Sequence, residues 1–136
     1  MDDTFIRIKA IIRQEDKYLI LEHWMDDRIV DPFVWEFVDC DLEHGESPVQ
    51  AALRGIYDAI GVDGRVIRPL YTWSQMIGDL QCVGIAFLCE LKEDGPSLML
   101  SDEYSGFEWV TRDELSAYIQ NQNMLEDILH SDISVP

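Results

Sequence analysis

A chain of 136 residues, 47% of them hydrophobic, has the size of one domain spanning 1–136 and enough core to need no metal or disulfide staple. Its net charge of −17, with twelve acids against two bases from Pro69 onward, argues against electrostatically driven nucleic-acid binding and against docking on anionic membranes. Cys40, Cys82 and Cys89 show no C-x-x-C spacing, the opening is acidic where a secretory leader is basic, and no apolar run reaches the ~18 residues of a membrane span. A reducing cytoplasm is the expected compartment.

Thr4 to Ile12 reads as a strand, followed by a polar turn at Gln14-Glu15-Asp16 and a second strand at Tyr18 to Leu21, which together predict a hairpin. His23 to Pro32 is acidic and irregular. Val34 to Val38 is apolar again, with Trp35 and Phe37 on one face. Ser47-Pro48 then marks a helix start, since serine caps the first free amides and proline suits the first helical position. Val49, Ala52, Leu53, Ile56 and Ile60 follow at helical spacing, and Gly61 supplies the stop. Val66 to Ile77 and Gln81 to Leu91 are β-rich and separated by Gly78-Asp79, a second hairpin signal. A short strand at Gly106 to Val110 precedes a helical region near Thr111, where Thr111 and Glu114 have capping-box spacing. The remainder, about 121–136, reads as a C-terminal tail. Strands with one central helix and one or two terminal helices predict an α/β or α+β sandwich.

The stretch from Trp35 to Val62, WEFVDCDLEHGESPVQAALRGIYDAIGV, resembles the Nudix box, G-x5-E-x7-R-E-U-x-E-E-x-G-U with U a bulky aliphatic. On that pattern, over about 40–62, Glu46 matches the first glutamate, Arg54 the arginine, Ile56 the first aliphatic, Gly61 the late glycine and Val62 the closing aliphatic. Glu103, six residues before Trp109-Val110, stands as in the family's E…WV segment. The resemblance covers about residues 4 to 120 and implies a Nudix-like α/β/α sandwich, with a mixed central sheet flanked by helices.

It also implies a chemistry. The family's loop–helix–loop holds Mg²⁺ or Mn²⁺ against a diphosphate and activates water, using carboxylates that share one helical face. Here those three helix positions are Gly55, Asp58 and Ala59, so two of the three carry no carboxylate. Val38-Asp39-Cys40 replaces Pro-Gly-Gly. The resemblance leaves Glu46, Asp58 and Glu103 as candidate catalytic and metal-binding residues, with Glu43 and Arg54 in support. Asp39 and Asp41 are further acids near the groove. Arg54, two helical turns in, can hold Glu46 by a guanidinium fork. Gly55 costs about 1 kcal/mol against alanine inside a helix. It either opens space for a ligand or partner, or marks drift after lost selection.

Cys40 is a weak nucleophile candidate, because neighbouring carboxylates raise a thiol's pKa. Trp24, Trp35 and Tyr104, with Trp73 behind them, can stack on a base, although aromatics in strands are more often core. Two functions stand against each other. One is a metal-dependent pyrophosphohydrolase of nucleoside diphosphate derivatives whose site is degenerate and whose usual activity is weak or absent. The other is a non-catalytic module, with no metal, that binds a small nucleotide-type ligand or a protein partner. A homodimer is expected from the resemblance alone.

Overall fold

The computed structural model describes residues 4–24, 35–120 and 122–131. Seven strands and three helices follow in the order β1 (Thr4–Gln14), β2 (Lys17–His23), β3 (Trp35–Glu36), β4 (Val38–Asp41), α1 (Pro48–Ile60), β5 (Gly64–Ile77), β6 (Leu80–Leu91), β7 (Tyr104–Thr111), α2 (Leu115–Tyr118) and α3 (Gln122–His130). Most of the acidic stretch after His23 lies outside the described residues.

The first hairpin forms, closed by Glu15 at φ 57°, yet β1 and β2 pair only at its root, through Arg13↔Tyr18 and Gln14↔Lys17. Beyond that root they diverge. β1 lies parallel to β6 and antiparallel to β4, while β2 is antiparallel to both β3 and β7. The long β5–β6 hairpin turns at Gly78 and completes the mixed sheet. One strand thus feeds each wing, and a cleft opens where the wings part.

Alternation along β1 and β2 assigns each face its core. Ile8, Ala10, Ile12, Leu19 and Leu21 pack against Ala52, Ile56 and Ile60 of α1. Ile11, Tyr18, Ile20 and Phe37 face the other way, against Leu115 and Ile119 and against Leu125 and Ile128 of α3. Burial of such a side chain contributes roughly 1.5–3 kcal/mol. The sheet is therefore covered on both faces, as a sandwich requires.

The segment from residue 121, expected as a tail, carries α3 instead. Leu125 and Ile128 are buried in the second core, and Arg112 donates to the Leu129 carbonyl near the helix end. This burial holds a helix too short to be stable alone. Among the described residues, no helix is long and apolar enough to cross a membrane.

Candidate functional site

Everything polar at the cleft is organised by the entrance to α1. Ser47 accepts from the Gln50 amide at 3.1 Å, and the Gln50 side chain accepts from the Ser47 amide at 2.9 Å, a reciprocal cap that fixes where the helix begins. Two turns on, Arg54 donates through Nε and Nη2 to the two oxygens of Glu46, at 2.8 and 3.0 Å. Its Nη2 also reaches the Asp41 carbonyl at 2.8 Å. Glu46 in turn accepts from the Glu43 amide, which draws the loop tight. The fork holds Glu46 below the usual carboxylate range. At its far end α1 stops at Gly61, which takes φ 72° and donates to the Tyr57 carbonyl. The amides of Met99 and Ser101 cover the Ile60 and Ala59 carbonyls.

A cavity of about 280 Å³ lies between this helix and the parted strands. Arg7, His23, Glu36, Asp39, Cys40 and Asp41 line one wall, Arg54, Gly55, Asp58 and Ala59 the other, and Glu103 and Tyr104 complete it. The charges on the strand wall are internally matched. Arg7 meets Asp39 at 2.8 Å and Asp41 at 3.0 Å, while His23 Nε2 is bonded to Glu36. That bond raises the His23 pKa, against the opposing pull of burial. Burial first, and then repulsion from Glu36, push Asp39 up to about 6 despite Arg7. The Tyr104 ring lies 4.9 Å from that of His23, and burial raises its hydroxyl pKa.

The helix wall is nearly bare. Asp58 is exposed, and its nearest charge partner is Arg54 at 3.6 Å, one turn back on the same helix. Gly55 is buried, and a Cβ there would stand 2.9 Å from Cys40 Sγ. Cys40 is half-buried and its thiol pKa is raised, chiefly by burial.

A family model of the NUDIX domain matches residues 4–128. The chain belongs to the Nudix family. Among solved structures, this Nudix domain is similar to the E. coli ORF135 protein, at 18% identity and TM-score 0.76, covering 94% of this chain and 90% of that one. It is also similar to a Nudix hydrolase from Nitrosomonas europaea, at 21% identity and TM-score 0.73, covering 93% and 86%. An Ap4A hydrolase binary complex from C. elegans matches at 15% identity and TM-score 0.75, covering 92% and 93%. These likenesses carry the fold. No curated protein matches the chain by sequence.

Nudix hydrolases generally use divalent metals, and the donor set of this domain does not fit one in the arrangement observed. Both Glu46 oxygens are taken by Arg54 and the Glu43 amide. Asp58 faces a guanidinium, and Gly55 and Ala59 carry no donor. Glu103 and Asp58 line the cavity, and Glu46 does not. Among the described residues, no three His, Cys, Asp or Glu side chains are grouped to hold a metal ion. Glu43 is exposed, 3.9 Å from Arg54.

Of the aromatic candidates, only Tyr104 lines the cavity. Trp35 is turned away, edge-on to Tyr118 at 5.3 Å, because it belongs to the second core. Trp24 is 58% exposed at the end of β2. Trp73 packs on Gly84 beneath the Lys9 ammonium, 4.5 Å from its ring. Sequence reasoning missed Arg7, His23 and Glu36. The available signal was a pair of cations, Arg7 and Lys9, interrupting an otherwise apolar strand, which predicts acids on the strand beside it. The β1–β4 register supplies Asp41 and Asp39 opposite them.

Proposed function

We propose that this Nudix domain has weak or no metal-dependent pyrophosphohydrolase activity and that its cleft binds a small ligand. One observation carries the reading. The carboxylates best placed to serve chemistry are already engaged within the protein, Glu46 by Arg54, Asp39 by Arg7 and Glu36 by His23, and α1 adds only an exposed Asp58. Without a divalent cation, the five acids lining the cavity outnumber its two arginines, so the local field disfavours a phosphate-rich ligand and favours a neutral or cationic one. Tyr104 and His23, with rings tilted 44° to each other, are the aromatic side chains that line the cavity.

The competing reading is an active hydrolase in which Glu46, Asp58 and Glu103 hold Mg²⁺ or Mn²⁺ once substrate arrives. The presence of Asp58 and Glu103 in one cavity favours it. Similar folds include an Ap4A hydrolase and a UDP-X diphosphatase, so dinucleoside polyphosphates and nucleoside diphosphate sugars form the test panel. The proposal expects turnover at background with either metal, unchanged by Asp58→Asn. Robust metal-dependent turnover that Asp58→Asn and Glu46→Gln abolish overturns it and establishes the hydrolase.

A further inference from the structure

Gly55 is an anomaly of helix chemistry. It sits mid-helix and buried, where the backbone is ordinary and no positive φ requires glycine. Glycine is the poorest helix former after proline, so such a position is expected to hold alanine unless something occupies the space of its Cβ. Something does. Cys40 Sγ would lie 2.9 Å from that carbon, Cys40 Cβ 3.5 Å and Val38 Cγ1 3.8 Å.

The sulfur is also anchored. The Cys40 thiol donates to the Ala51 carbonyl at 3.3 Å, and Ala51 is the residue one turn before Gly55, whose carbonyl the Gly55 amide meets in the helical ladder. A methyl group at position 55 therefore does more than crowd a flexible atom. To make room, the thiol must leave its acceptor and turn away from α1.

We propose that Cys40 and Gly55 form one size-matched unit that closes the floor of the cleft between β4 and α1. The thiol, rather than the shortage of carboxylates on α1 alone, decides what this floor admits. The inference deepens the reading of the cleft as poor in metal ligands: a side chain restored to α1 at position 55 must first displace the sulfur that stands opposite.

The test is a cycle of thermal unfolding on the full chain: unmodified, Gly55→Ala, Cys40→Ala, and both together. Cys40→Ala removes only the sulfur and leaves a Cβ at ordinary contact distance, so it is the milder partner. Gly55→Ala is expected to lower the melting temperature when Cys40 is present and to raise it when residue 40 is alanine, where helix propensity acts unopposed. Equal shifts in the two backgrounds overturn the pairing. Thiol labelling gives a second readout on one variant. Gly55→Ala should speed modification of Cys40 several-fold, while Cys82 and Cys89 stay buried and slow; an unchanged rate counts against the unit.

The functional arm uses Mn²⁺ alone as the probe. Gly55→Glu with Ala59→Glu should bind it at least tenfold more tightly when Cys40→Gly is added. Equal affinities with and without Cys40→Gly overturn the control of the floor by the thiol. Turnover by the unmodified chain tests the proposed function separately, so either reading can fail while the other stands.

Discussion

The two halves of α1 have opposite characters. Its entrance is over-determined: the Ser47–Gln50 cap, the Arg54–Glu46 fork and the Arg54 bond to the Asp41 carbonyl all fix one short loop. One turn further on, the cavity face consists of a glycine, an alanine and a single exposed aspartate. The back of that same stretch, Ile56 and Ile60, is completely buried. The difference teaches that architecture and chemistry in this helix depend on separate residues. The first set fixes loop, helix and sheet, while the second decides what the helix presents to the cleft.

Four measurements can break or sharpen that contrast. Ile56→Ala empties a fully buried site behind the bare face, and a loss of about 2–5 kcal/mol in denaturant unfolding is expected. A loss near zero would mean that the back of the helix is not what holds it. Ser47→Ala removes the cap at the entrance and should cost about 1 kcal/mol, read in the same way. Asp58→Asn should change stability by no more than roughly 0.5 kcal/mol, because its partner lies along an exposed helical edge. A larger loss would place Asp58 among the architectural residues.

The smallest effect concerns pH. His23 has a raised pKa in the fold, so its bond to Glu36 contributes fully below the unfolded value of about 6.5 and fades as pH climbs through the folded value. Glu36 also repels Asp39, which ionises near pH 6. Both effects have the same sign. Glu36→Gln should destabilise the protein more at about pH 5.5 than at about pH 9, measured as the change in melting midpoint. A loss that grows with pH would show that the strand wall is not held in this way. The His23 titration itself, followed by NMR, should move down in the same variant.

Much of this was legible in one sequence, for a local reason. The start and stop of α1, the two hairpin turns and the alternation of β1 and β2 are each encoded within a few residues, and the Nudix pattern spans only one loop and one helix. Even the Glu46–Arg54 partnership is near in sequence and set by helical pitch. The C-terminal region was harder, because Gln122–His130 is amphipathic but only nine residues long, and such a helix holds only where Leu125 and Ile128 meet Phe37 and Ile20. Trp35 was likewise misjudged, since only the direction of β3 decides whether its ring faces the cleft or α2.

From composition and pattern alone came the family, the sandwich and the absence of carboxylates at positions 55 and 59, all of which are properties of residue type at fixed spacing. Tertiary structure alone decided what the absences mean. Cys40 and Gly55 are 15 positions apart, and their match in size exists only because β4 lies against α1. Arg7, Asp39, His23 and Glu36 come from four strands, so their mutual pairing is a consequence of register. Steric fit and charge compensation act across a few ångströms of space, and no spacing along the chain records them.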